Sequence, residues 1–181
     1  MKENHIHHLL TPYIETDNME EIMTVYSEDV SMYEDSLFYA VLDANSIVGS
    51  VKITRWNGTT MLPIQKLFGI DVHQFTATKG IGSIWHVGRF AIARKQGALL
   101  LKQLLTVAIS TMCKDQNCIM VAECDRKFVK VLNMVGIQTQ QLAPSVFYLG
   151  SETLPIYSSY EWLSNFLHQN VPSFSMSMEK N

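Results

Sequence analysis

Between Ser83 and Glu123 the hydrophobic period of the sequence changes twice, and those changes restrict the folds open to the chain. Ser83 to Ala93 is rich in β-branched and aromatic residues and reads as a strong strand. Gly97 to Lys114 then places Leu100, Leu101, Leu104, Leu105, Ala108 and Ile109 along one side of an amphipathic helix. Ile119 to Glu123 follows as a short buried strand, and Asp125 caps a further helix that runs through Val135 to a terminating Gly136. Strand, helix, strand in this order requires a crossover connection, which is right-handed and sets at least one pair of strands parallel.

The flanking segments complete the layers. Leu37 to Leu42 and Ile47 to Thr54 form a predicted antiparallel hairpin about Asp43-Ala44-Asn45-Ser46. Met19 to Met32 reads as a helix with Asp17 or Asn18 as its cap. Met61 to Thr78 is read as an irregular apolar stretch after the Asn57-Gly58 turn. Weaker strands are expected at Val146 to Leu149 and Ile156 to Tyr160, with a helical or frayed tail from about Leu163. The predicted fold class is α/β: one domain over residues 1–181, a central mixed sheet with helices on both faces.

Composition narrows the function classes. The chain has 181 residues, enough for one substantial core. A formal net charge of −3 gives no electrostatic reason to expect nucleic acid or an anionic membrane as partner. No apolar run approaches the roughly 20 residues of a membrane-spanning helix, and the N-terminus lacks a signal-peptide core. Cys113, Cys118 and Cys124 form no CxxC pair; they read as small buried residues of a cytoplasmic protein, and no metal site is expected. His5, His7 and His8 near the terminus read as a tail rather than a metal tract.

The strand Ile84-Trp85-His86-Val87-Gly88-Arg89-Phe90-Ala91-Ile92-Ala93 passes through Arg94-Lys95-Gln96-Gly97 into the helix. Such a turn presents unpaired N–H groups at the positive end of a helix dipole, a setting for phosphate, with Arg94 and Lys95 adding charge. A solvated helix N-terminus is the alternative. The arrangement resembles the acyl-CoA loop of the GNAT N-acyltransferase superfamily, whose pattern is roughly Arg/Gln-x-x-Gly-x-Gly/Ala; Arg94 and Gly97 match, and Leu99 stands where a small residue is usual. The resemblance implies that Arg94, Lys95, Gln96, Gly97 and Ala98 cradle the phosphates of acyl-CoA, with Phe90 and Ile92 beside the pantetheine amides. It also implies a splay between the strand and its neighbour. Asp125 to Gly136-Ile137 is similar to the superfamily's later helix, with Leu132 where many members carry an acidic tyrosine.

Three stretches resemble the acyl-homoserine-lactone (autoinducer) synthase branch. Trp85-His86-Val87-Gly88-Arg89-Phe90 is similar to its Trp-Glu-x-x-Arg-Phe, with His86 in place of glutamate. Asp125-Arg126, Leu132, Gly136, Leu142, Pro144, Gly150, Glu152, Pro155 and Ile156 follow its C-terminal spacing, and Gly49-Ser50-Val51-Lys52 is similar to its Gly-x-x-Arg. That branch takes acyl chains from acyl carrier protein and its amine from S-adenosylmethionine.

Aminolysis of a thioester needs a neutral amine, a route for its proton and stabilisation of an oxyanion. His86 suits the proton route, since imidazole titrates near neutral pH; a hydrogen-bonded core histidine is the alternative. Arg89 is suited to orient an acceptor carboxylate, or to pair with Glu123 or Asp125. Glu123 is a second candidate proton acceptor, or a cap or ion-pair residue. Lys52 reads as an exposed strand lysine, with substrate or carrier binding as its other role. Met61, Leu67, Phe68, Phe75 and Trp85 are candidates to line an acyl tunnel, or core residues. Three functions follow: an N-acyltransferase acting from acyl-CoA or acyl carrier protein on a small amine, an autoinducer synthase using S-adenosylmethionine, and an acyl-thioester-binding module without turnover.

Overall fold

The structure, a computed structural model, describes residues 18–93 and 97–170. Helix α1 (Asn18–Ser31) leads into the hairpin of β1 (Ser36–Asp43) and β2 (Ser46–Arg55). Ala44 and Asn45 both take positive φ, 43° and 69°, as a tight two-residue hairpin turn demands. Two short helices, α2 (Pro63–Phe68) and α3 (Val72–Lys79), precede β3 (Ser83–Ile92). Helix α4 (Ala98–Met112), β4 (Cys118–Asp125) and α5 (Arg126–Met134) follow. The chain then forms β5 (Gln140–Gln141), β6 (Val146–Tyr148), β7 (Ser151–Ser159) and α6 (Tyr160–Asn170).

The strands form one sheet in the order β1-β2-β3-β4-β7-β5, with β6 also on β7. Only the β3–β4 pair is parallel among the described pairings, as the strand–helix–strand pattern requires. One face packs Val51, Ile53, Trp85, Met120, Ala122 and Ile156 against α4, α5 and α6. The opposite face packs Ile84, Ile119, Val121 and Tyr157 against Leu62, Ile64 and Val72 from the α2–α3 segment, and against Met32. Gly49 is what lets α4 approach β2: a Cβ there would come within 2.8 Å of Leu104 Cδ1 and 3.3 Å of Leu100 Cδ2.

Two expectations about the elements change. The stretch 61–78 is helical rather than irregular. Pro63 starts α2 and Gly69, at φ 64°, ends it; Asp71 accepts from the Gln74 N–H to start α3, and Gly80, at φ 62°, stops it. The strand expected at 156–160 begins five residues earlier, as β7. Of the helical or frayed tail expected from about Leu163, the described part, to Asn170, is helical as the end of α6, with Leu163, Phe166 and Leu167 buried. The Asp17 or Asn18 cap, the N-terminal histidines and the loop residues Arg94, Lys95 and Gln96 lie outside the described residues and side chains. Among the described residues, no helix is long and apolar enough to cross a membrane.

Candidate active site

The parallel pairing of β3 with β4 runs only from Ser83↔Cys118 to His86↔Val121. Beyond that point β3 continues to Ile92 and β4 to Asp125, so the two strands part and a fork opens between them. His86 and Glu123 stand at the fork. The His86 Nε2 lies 2.8 Å from Glu123 Oε2, with the two side chains 6% and 12% exposed. The outer atoms of the pair, His86 Nδ1 and Glu123 Oε1, are buried without a hydrogen-bond partner among the described residues. When Nε2–H donates to the carboxylate, Nδ1 carries a lone pair, so both orphaned atoms are acceptors. Gly88 leaves the ring room, since a Cβ there would lie 3.1 Å from His86 Cε1 and 3.7 Å from Nδ1.

A β-bulge shapes the next part of the site. Across the β2–β3 pair, Lys52 faces Gly88 but Ser50 faces Ala91, so two residues of β3 occupy the space of one. Arg89 supplies the kink, with φ at 53° in the left-handed region that a non-glycine residue rarely visits. The side-chain parity reverses there. Trp85 and Val87 before the bulge, and Phe90 and Ile92 after it, all pack toward the core beneath α4 and α5. Arg89 turns instead to α1, where Nε meets both Asp29 oxygens at 3.2 Å and Nη2 meets Glu28 Oε2 at 3.2 Å. Lys52, with a side chain only 2% exposed, donates to Asp29 Oδ1 at 2.7 Å.

This ion network explains the orientation of α1. Glu28 and Asp29 face the sheet, while Met19, Met23, Tyr26 and Val30 face outward and are more than half exposed. A buried lysine and a partly buried arginine beneath the helix make its acidic side the one that turns inward. Arg89 therefore makes the ion pair that its sequence allowed, but with Asp29 and Glu28 in place of Glu123 or Asp125. Lys52, read as an exposed strand lysine, is buried. Val51 and Ile53 point to the opposite face of the strand, so the alternation Val-Lys-Ile reads as an exposed lysine and does not signal its burial. Nothing local in the sequence identifies Asp29 as the lysine's partner.

On the other side of the fork, Phe90 packs on Phe128 of α5 with ring centroids 4.9 Å apart. Gly97 is the N-cap residue of α4; it and Ala98 are exposed, no side chain caps the helix there, and a Cβ on Gly97 would meet open space. Leu99 is 71% exposed and so fills no pocket in the fold. Leu132 is 3% exposed and packs in the core. The five apolar candidates for a tunnel do not share one side. Phe68 and Phe75 pack on the α2–α3 face, whereas Trp85 lies on the opposite face and donates to Asp115 Oδ2 at 3.1 Å. The three cysteines are free thiols, and burial pushes Cys124 upward in pKa.

No protein-family model and no curated protein matches this sequence. Solved structures of similar fold include FeeM, an N-acyl amino acid synthase from uncultured soil microbes. The match has 14% identity, covers 75% of this chain and 80% of that one, and has a TM-score of 0.62. BjaI, a CoA-dependent acyl-homoserine lactone synthase solved with SAM and isopentyl-CoA, matches at 17% identity and a TM-score of 0.53. That match covers 75% of this chain and 64% of BjaI. TofI, solved in a ternary complex with an inhibitor and MTA, matches at 13% identity over 72% and 70% of the two chains, with a TM-score of 0.54. At these identities the likeness is one of fold, the GNAT-like fold of a mixed sheet with helices on both faces.

Proposed function

We propose that the protein is an N-acyltransferase that passes an acyl group directly from a pantetheine thioester, on CoA or on acyl carrier protein, to a small amine. The observation that supports this most is the His86–Glu123 pair, buried at the fork with two unpartnered acceptor atoms. A buried polar atom without a partner is costly in a fold that gains nothing from it. Here both atoms lie where the strands separate.

In this reading Glu123 orients the imidazole through Nε2, and Nδ1 takes the proton as the amine nitrogen attacks the thioester carbon. The new C–N bond forms, the C–S bond breaks, and the electron pair leaves with sulfur. A thiol has a pKa near ~8.5, so its thiolate departs without an obligatory acid. The burial of Leu132 at the position of the family's tyrosine is compatible with that, and it also keeps a thioester-binding module without turnover as the second reading. Phe90 and Ile92 on the open edge of β3 border the pantetheine, and Arg94, Lys95, Gln96, Gly97 and Ala98 surround its phosphates at the start of α4. Arg89, held by Asp29 and Glu28, fixes the bulge that sets this edge. With its free thiols the protein suits a cytoplasmic setting.

The test measures thiol release from acetyl-CoA, longer acyl-CoAs and acyl carrier protein with pooled amines, S-adenosylmethionine included. His86→Ala is expected to lower turnover about tenfold or more while donor affinity stays nearly intact. An unchanged rate would remove His86 from the mechanism, and donor binding without thiol release from any acceptor would favour the non-catalytic reading.

A further inference from the structure

We infer that the acceptor is an amine that carries no carboxylate, such as an alkyl- or arylalkylamine, rather than an amino acid. This inference rests on the acyltransferase reading and specifies the acceptor at that same site. The polar atoms left unpartnered at the fork are His86 Nδ1 and Glu123 Oε1, and both are hydrogen-bond acceptors when the neutral imidazole donates Nε2–H to Glu123. An incoming ammonium or amine supplies the N–H donors that they lack, and Glu123 attracts its positive charge. An acceptor carboxylate would need a cation.

Among the described residues, the cations on this face of the sheet are already committed. Lys52 is bound to Asp29 at 2.7 Å with its side chain 2% exposed, and Arg89 grips Asp29 and Glu28 at 3.2 Å. Lys66, the next cation outward, is bound to Glu28 at 3.2 Å. Register places Lys52 across from Gly88, the residue beside the His86 ring. A substrate carboxylate recruiting Lys52 would have to evict Asp29 and leave that acid unpaired beneath α1. It would also bring a negative charge toward Glu123. The described part of the site therefore selects against the carboxylate twice: Lys52, Arg89 and Lys66 are already paired with acids, and a like charge faces it.

Matched acceptor pairs that differ only in the carboxylate test the inference: tyramine and tyrosine, tryptamine and tryptophan, histamine and histidine. Thiol release is followed with the full chain, using acetyl-CoA and a longer acyl-CoA. Each amine is expected to exceed its amino acid in kcat/KM by about tenfold or more. Asp29→Asn, which frees cationic hydrogen-bonding capacity on Lys52 and Arg89, is expected to shift that ratio toward the amino acid. If that variant does not fold, Glu28→Gln, which removes the charge that pairs with Arg89 and with Lys66, takes its place with the same expected direction. Equal or faster acylation of the amino acids by the unmodified chain would overturn the inference and leave the acyltransferase reading standing. An unchanged ratio in the folded variant would overturn the role given to the ion pairs. Failure of every donor both to release thiol and to raise the melting temperature would overturn the acyltransferase reading, and the inference with it.

Discussion

The Lys52–Asp29–Arg89 network makes an asymmetric prediction that can be worked out from its distances. Among the described residues, Asp29 is the one carboxylate bonded to Lys52, at 2.7 Å, whereas Arg89 holds Glu28 as well as Asp29. Replacing Asp29 by alanine therefore strands a lysine whose side chain is 2% exposed. Breaking a buried pair from one side costs ~3–5 kcal/mol. Asp29 is itself 18% exposed, and the Phe38 ring lies 5.6 Å from the ammonium, so the lower end of that range applies, about 3 kcal/mol. For a chain of this size each kcal/mol shifts the melting temperature by ~2–4 °C, giving a loss of about 6–12 °C. Lys52→Met behaves differently, because Asp29 keeps both contacts to Arg89 Nε; its cost should be about 1 kcal/mol or less. The double variant Asp29→Ala/Lys52→Met should recover most of what Asp29→Ala loses. Urea unfolding of the four proteins, with the slope held common, gives the coupling energy directly. Equal costs for the two single variants, or no recovery in the double, would refute the claim that the aspartate's chief role here is to neutralise a buried lysine.

Three further outcomes are expected. Gly88→Ala should push the His86 ring away from Glu123, because the new Cβ would lie 3.1 Å from Cε1; turnover should fall while donor affinity holds and stability drops by about 1 kcal/mol, and unaltered turnover would contradict the placement of the ring. Gly97→Asp should separate folding from binding: an aspartate is a better N-cap than glycine and meets open space, so stability should hold or rise by a few tenths of a kcal/mol, while donor affinity, read by thermal shift, falls through like-charge repulsion with the phosphates. Unchanged donor affinity in Gly97→Asp would move the phosphate site elsewhere. Glu152, whose carboxyl is held down to about 2 by its hydrogen bonds with Arg126 and Ser145, lies below its ordinary value of 4.5 in the folded chain. Its contribution is therefore complete above about pH 4.5 and is lost as pH falls toward 2, so the stabilities of the parent chain and Glu152→Gln should converge across that window in acid-dependent urea unfolding.

Local sequence alone determined the elements on either side of the site. The β3–α4–β4 order, the hairpin turn at Ala44-Asn45 and the helix starting after Asp125 all rest on interactions within a few residues, so spacing and turn chemistry reveal them. The two short helices in 61–78 carried equally local signals in Pro63, Gly69, Asp71 and Gly80, but each has too few turns to display a hydrophobic period. His86, Glu123 and Arg89 could be named as candidates because their residue types suit the chemistry. Their partners could not. His86 meets Glu123 across a separation of 37 residues, and Arg89 meets Asp29 across 60. The bulge at Arg89 reverses which side chains face the core, a one-residue register change that an alternating pattern cannot announce. Tertiary packing decided that the acidic side of α1 turns inward and its apolar side outward, because two cations held beneath it by the sheet must be neutralised wherever the chain can supply carboxylates.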